Sequence, residues 1–360
     1  MYYEKDNCLV SVSNSILQHF GCETFHSTQP ELDSILERNK GKKICICLFD
    51  GMGKYIQELH SKYAKEILKK KRITITSVFP PTTVAATSAL MSAKFPCETG
   101  WIGWTQKIDS CSHPVKMFES KDDITQEDVI PHTYETYKYK SIIERINESG
   151  KRAENVLSFE LKETSLNSFF NVVEGKLQRN DFLYAYNTEP DASLHEGGTK
   201  SKKVSKLIEK IDRGMVKIAK DNPDTLFVVL ADHGHIDTKY NLIDEHDDLY
   251  DCLKEKYNYL EPRSAVFFVK KNKKAEFEKL FRRYYGNHFK LYSRKEVQDL
   301  KIFGIGEPHR DFEKFLGDYL AVSESEYAIA NSPDKMKMVS HHAGGTDKER
   351  YINISIFNDS

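Results

Sequence analysis

The chain has 360 residues, 39% hydrophobic and 30% charged, which supports a full core and suggests one large domain carrying an insertion. Its 53 basic and 54 acidic residues leave a formal charge of -1, excluding a general electrostatic attraction to nucleic acid or anionic membrane, so any phosphate affinity must be local. No apolar run approaches the ~20 residues of a membrane span, the polar start Met1 to Asp6 lacks the pattern of a signal peptide, and seven cysteines without Cys-x-x-Cys or framework spacing read as buried small hydrophobes in a reducing cytoplasm.

In chain order, Leu9 to Phe20 reads as an amphipathic helix and Lys42 to Phe49 as a strand buried on both faces, ending at Asp50-Gly51. A helix is expected from there to about Lys70. Arg72 to Phe79 is a second strand; Pro80-Pro81 stops it before Thr82 to Leu90 opens a helix of small residues with a hydroxyl at its N-terminus. Glu135 to Ser149 is expected to be helical, Asn155 to Phe159 a short strand, and Asp181 to Tyr186 another buried strand, on which Tyr184 and Tyr186 read as core. Lys202 to Asp221 carries helical apolar spacing, and Thr225 to Ala231 is the clearest parallel strand.

Strands alternating with helices predict an α/β fold with a mostly parallel sheet. Between His233 and His341 the texture changes: strand at Ser264 to Val269, helix at Lys274 to Tyr285, strand at His288 to Tyr292, then Tyr319 to Ala328. This block reads as an inserted α+β cap over 236–329, with 1–235 and 330–360 forming the main domain.

Four motifs fall where hydrophobic strands should end: Phe49-Asp50-Gly51, Glu189-Pro190-Asp191 with His195, Asp232-His233-Gly234, and His341-His342-Ala343-Gly344. Singly, most have ordinary readings. Asp50 can cap a strand-to-helix turn, Asp191 and His195 can be loop polar residues, and the paired histidines can lie on a surface loop. Asp232-His233 has no packing role after so apolar a strand. Together, aspartates, histidines and a hydroxyl at strand C-termini form the ligand inventory of a two-metal hydrolase suited to zinc or manganese.

The order of these motifs resembles the alkaline phosphatase superfamily, and most closely its type I phosphodiesterase and nucleotide pyrophosphatase family. The resemblance runs from Ile44 to about His342. It rests on a strand ending in Asp50-Gly51, the segment Phe79-Pro80-Pro81-Thr82-Thr83 entering a small-residue helix, Pro190-Asp191 with His195, Asp232-His233-Gly234, and His342-Ala343-Gly344.

The resemblance implies an alkaline-phosphatase-like sheet sandwiched by helices. It assigns one metal site to Asp191, His195 and His342, with His341 as the alternative last ligand. The other site falls to Asp50, Asp232 and His233, with Thr83 as nucleophile and metal contact; Thr82 would shift the register by one. Two divalent ions, Zn2+ before Mn2+, would then activate the hydroxyl, a phospho-threonine intermediate would form, and water would hydrolyse it.

Where nucleotide pyrophosphatases carry an asparagine that helps hold the phosphoryl group, this chain has Trp104; Trp104 and Trp101 are candidates for stacking on an aromatic leaving group, with packing as the alternative. His235, Asp237 and Glu189 are candidates for orienting the ligands.

The function implied is hydrolysis of phosphodiester or phosphoanhydride bonds in a small-molecule or nucleotide substrate, with no membrane and no nucleic-acid duplex as partner. A phosphomonoesterase of the same fold is the alternative, and a non-catalytic metal- or nucleotide-binding module is the alternative of a different class. A sulfatase is excluded because Cys97 is followed by Glu98-Thr99 rather than the Pro-x-Arg pattern it would need.

Overall fold

The computed structural model of the protein describes residues 2–331 and 336–359. Its centre is a six-stranded sheet. In spatial order the strands are Lys71–Thr76, Tyr351–Phe357, Thr225–Leu230, Lys43–Phe49, Phe182–Asn187 and Ala153–Leu157. All run parallel except Tyr351–Phe357, which is antiparallel to both its neighbours. The three middle strands are apolar along their length because helices cover both faces, as the continuous runs in the sequence imply. The fold class is therefore the expected α/β architecture.

Parallel register determines where the chemistry falls. Phe49 pairs with Asn187 and Leu48 with Leu230, so the three central strands finish at one level. The residues that follow leave from the same edge: the Asp191 N–H donates to the Asp50 carbonyl at 3.0 Å, and the Gly51 N–H donates to Asp232 Oδ1 at 3.1 Å. Glycine is required where these turns meet. A Cβ on Gly53 would lie 2.6 Å from Gly234 Cα, and one on Gly234 would lie 2.1 Å from the Lys348 carbonyl oxygen.

Several elements differ from the sequence reading. The helix expected after Asp50 is broken into Lys54–Leu59 and Lys65–Lys69. The one expected over Glu135 to Ser149 is two, Thr133–Thr136 and Ile142–Glu148, because Ser141 and Glu144 form a capping box that starts the second afresh. Tyr319 to Ala328 is likewise two strands, Tyr319–Ser323 and Tyr327–Ala330.

The second sheet has seven strands. It runs Phe289–Ser293, Tyr319–Ser323, Ser264–Phe267, Tyr259–Glu261, then Thr105–Gln106, Val115–Lys116 and Lys121–Asp122. The block expected as an insertion thus shares its sheet with residues 105–122, which the sequence reading assigned to the main domain.

A buried ion pair fastens this sheet to the loop that carries the last histidines. Arg263 donates from Nε and Nη2 to the two Glu349 carboxylate oxygens at 2.7 and 2.8 Å, and both side chains are fully buried. Glu349 also accepts from the Gly344 N–H at 2.7 Å, and Ser264 Oγ donates to the Ala343 carbonyl. Arg263→Leu is expected to lower stability by about 3–5 kcal/mol, because it leaves the Glu349 charge buried without its partner. Urea denaturation of the two proteins measures this; a loss below about 1 kcal/mol would contradict it.

Candidate active site

Thr83 is the first residue of the helix Thr83–Ser92, and Thr82 is its N-cap in extended backbone. The adjacent threonines face different partners. Thr82 Oγ1 donates to Glu261 Oε1 at 2.6 Å, whereas Thr83 Oγ1 lies 3.4 Å from both Asp50 carboxylate oxygens and 3.2 Å from His233 Nε2. No side chain caps the helix, so its first-turn N–H groups are left for an anion.

Around Thr83 the structure gathers Asp50, His233 and Asp232. His233 Nε2 is 3.3 Å from Asp50 Oδ1 and 3.5 Å from Asp232 Oδ2. Its Nδ1 faces the Gly234 carbonyl at 3.1 Å, which fixes the ring proton on Nδ1 and leaves the Nε2 lone pair facing the site. Asp232 Oδ1 accepts from the Gly51 and His233 N–H groups, while its Oδ2 is buried without any hydrogen-bond partner.

A second cluster adjoins the first. Asp191, His195, His235 and His342 each offer one ligand atom, and these atoms all lie within 4.8 Å of one another; Asp191 also falls in a group with Asp50 and His233. His342 therefore stands in the cluster and His341 does not. The His342 ring stacks on His233 with centroids 3.9 Å apart. Ala343, the next residue, has φ of 77°, a left-handed conformation that a non-glycine residue adopts at a cost, and its N–H is held by the Pro81 carbonyl at 3.0 Å.

Electrostatics show what such a cluster requires. Burial, then the neighbouring Asp232 and Asp191 carboxylates, push Asp50 well above the usual carboxylate range, and burial raises Asp232 as well. Burial also opposes ionisation of Asp191, and only protonated His195 and His235 rings would hold that carboxyl below its ordinary value. His342 is pushed well below the ordinary histidine value by burial and by His233 and His195, which keeps the ring neutral. Among the described residues, every ion pair of these three carboxylates is with a histidine. Two buried carboxylates, the half-buried Asp191, the facing imidazoles and an Asp232 oxygen without a hydrogen bond form a donor set that fits divalent cations.

The cluster opens into a pocket of about 1050 Å3 lined by Asp50, Thr83, Asp191 and an aromatic wall that includes Trp104, Phe118, Tyr134 and Phe159. One expectation is corrected here. Trp101 does not line the pocket: it is fully buried, donates from Nε1 to the Tyr137 carbonyl and packs behind Tyr134 and Phe118. Tyr184 and Tyr186 belong to the buried core, as expected, and also border the pocket, where the Tyr186 hydroxyl donates to Asp50 Oδ2.

The candidate orienting residues diverge. Glu189 braces the helix Asp191–Gly197 by accepting from Ser193 N–H and Oγ. Asp237 accepts from the Thr199 N–H at 2.6 Å, whereas His235 stands among the ligands themselves.

The chain belongs to the type I phosphodiesterase/nucleotide pyrophosphatase family, a family of phosphoester-bond hydrolases: the family model matches residues 128–347, a span that includes Asp191, His195, Asp232, His233 and His342. Among solved structures it is similar to murine ectonucleotide pyrophosphatase/phosphodiesterase 5, in an inactive form complexed with AMP, at 14% identity and TM-score 0.64, covering 87% of each chain. The human form of that protein is 12% identical, with TM-score 0.62 and 87% of each chain covered. Phosphonoacetate hydrolase from Sinorhizobium meliloti, complexed with phosphonoformate, is 14% identical with TM-score 0.66, over 88% of this chain and 89% of that one. No curated protein matches the chain significantly in sequence.

Glu261 was not found by sequence reasoning. It comes from the second sheet, is buried, and accepts on Oε1 from both the Thr82 hydroxyl and the Trp104 N–H, the latter at 2.9 Å. Burial pushes its carboxyl from the ordinary 4.5 up to about 7, with those two hydrogen bonds opposing the rise. The folded chain thus keeps a proton that the unfolded chain releases near pH 4.5, so stability falls as pH rises from 4.5 to about 7, by at most ~1.4 kcal/mol per pH unit. Glu261→Gln is expected to flatten that slope in urea denaturation across this range; an unchanged slope would contradict the assignment.

Proposed function

We propose that the protein is a metal-dependent phosphodiesterase or nucleotide pyrophosphatase that works through a phospho-threonine at Thr83. The observation that carries this reading is the division of labour between the adjacent threonines. Thr82 is engaged by Glu261, while Thr83 faces His233 and Asp50 at the start of an uncapped helix.

Two divalent ions, zinc in preference to manganese, would be held by Asp50, Asp232 and His233 and by Asp191, His195 and His342. When bound they would lower the pKa of the threonine hydroxyl and stabilise the attacking and leaving oxygens of an in-line displacement. Asp50 and His233 orient Thr83 Oγ1 toward phosphorus. The bond from that oxygen to phosphorus forms as its O–H bond and the bond to the leaving oxygen break, the proton passing through solvent to the departing group; water then cleaves the phospho-threonine, its proton restoring the hydroxyl and its OH remaining on phosphorus. The first-turn N–H groups of the Thr83 helix receive phosphate oxygens. Tyr186 holds Asp50 by its hydroxyl, which fixes the carboxylate against the strand from which it leaves.

Two features favour a diester or pyrophosphate over a monoester. Among the described residues the only cationic side chain lining the pocket is Lys176, and it is engaged by Glu154 and the Asn155 carbonyl. A dianionic terminal phosphate would therefore find no arginine fork. The aromatic wall suits a planar group such as a nucleoside base, in keeping with the AMP complex of the murine structure. The seven cysteines, all unpaired, suit a reducing compartment such as the cytoplasm.

Thr83→Ala is expected to lower turnover of a nitrophenyl phosphodiester by at least about 10³-fold with folding and metal content nearly intact. Thr83→Ser should keep a measurable fraction, and Thr82→Ala should cost far less. Loss of turnover in Thr82→Ala with Thr83→Ala active would contradict the assignment. Comparing kcat/KM for the diester and the matching monoester tests the substrate class; a tenfold preference for the monoester would move the protein to the phosphomonoesterase reading.

A further inference from the structure

His235 lies outside the six ligands that the proposed function uses, yet it occupies the same ground. Its Nε2 is 2.5 Å from Asp191 Oδ1, closer than His195 Nε2 at 3.4 Å or His342 Nε2 at 3.8 Å. The ring is fully buried. Its contacts settle which nitrogen faces the site. Ser340 Oγ donates its single proton to the Leu194 carbonyl at 2.7 Å, so it meets His235 Nδ1, 3.0 Å away, as an acceptor. The ring proton is then on Nδ1, and Nε2 presents a lone pair to a carboxylate oxygen. A neutral ring so placed requires a cation beside the two lone pairs; the alternative is a second ring proton on Nε2, which would make His235 a donor to Asp191.

The arrangement repeats that of an expected ligand. His195 Nδ1 is held by the carbonyl of the same Ser340 at 2.8 Å, which leaves its Nε2 facing the same Asp191 oxygen. One serine thus sets the tautomer of two histidines, with its carbonyl for His195 and its hydroxyl for His235. Imidazoles whose outer nitrogen is fixed by an oxygen acceptor and whose inner nitrogen is bare are in the form that binds metal.

We propose that His235 is a fourth protein ligand of the metal site formed by Asp191, His195 and His342. The inference rests on the two-metal reading above and adds a ligand to one of its sites. The second site, at Asp50, Asp232 and His233, is unaffected by it.

Two substitutions separate a ligand from a hydrogen-bond donor to Asp191. Glutamine can donate to Asp191 but is a poor metal ligand; glutamate can ligate but cannot donate when ionised. Zinc stoichiometry and affinity are read by competition with a chromophoric chelator for the full-length protein and for His235→Gln and His235→Glu, with folding checked by circular dichroism.

The expected result is two zinc ions in the parent protein, an affinity loss of about tenfold or more for one of the two in His235→Gln, and recovery of most of that loss in His235→Glu. Unchanged zinc affinity in His235→Gln, or a loss in His235→Glu that His235→Gln does not share, would overturn the proposal and leave His235 as a donor to Asp191. A parent protein that binds fewer than two zinc ions would overturn the two-metal reading itself. Should His235→Gln fail to fold, a His235→Glu protein that folds and holds two ions with parental affinity supports the ligand role, and one that has lost an ion overturns it.

Discussion

Asp50, Asp191 and Asp232 are forced into one another's company by the parallel register of three buried strands. Asp50 and Asp232 are buried close to the level at which Phe49, Asn187 and Leu230 end, and Asp191, at the start of the helix that follows the Phe182–Asn187 strand, borders the pocket. Their mutual repulsion in a buried setting is the constraint on which the rest of the site depends. Protons relieve it partly, which is why burial and like charge hold Asp50 far above its ordinary range. Divalent cations would relieve it fully, and the surrounding imidazoles turn ring nitrogens toward the same space.

The second sheet completes what the first begins. Glu261 reaches across to hold the N-cap threonine and the Trp104 backbone, and so bears on both the Thr83 helix and the pocket rim. Arg263, two residues on, locks onto Glu349 and through Gly344 steadies the turn after His342. A short stretch of one hairpin thus braces the helix that carries the hydroxyl and the loop that carries the last histidine.

Much of this was legible in the chain because strands buried on both faces read as unbroken apolar runs, and Asp50, Asp191 and Asp232 each follow one within a few residues, whereas His341 and His342 lie at a two-residue strand. Lys202–Asp221 and Lys274–Tyr285 were readable to the residue, since their amphipathic spacing is long and uninterrupted. The C-terminal strand Tyr351–Phe357 and the helix Leu166–Leu177 went unread, although Ser165 before the helix is a usable N-cap signal. The two-residue strands between Thr105 and Asp122 are too short to carry any period.

Residues that act through distant partners were the hardest to see. Glu261 meets Thr82 and Trp104 across 179 and 157 positions of sequence, and no local pattern records that. Tyr186 is core, as it read, but strand alternation carries no sign that its hydroxyl would reach Asp50. His235 follows His233 by two and read as an orienting residue, because only the Ser340 contacts reveal which of its nitrogens faces Asp191.

The central claim is that two divalent cations neutralise the carboxylate cluster. Crystals grown with zinc and measured on either side of the zinc absorption edge test it most directly. The account predicts two anomalous peaks per chain, one beside Asp50, Asp232 and His233 and the other beside Asp191, His195 and His342. A single peak, or none with zinc present in excess, would contradict it.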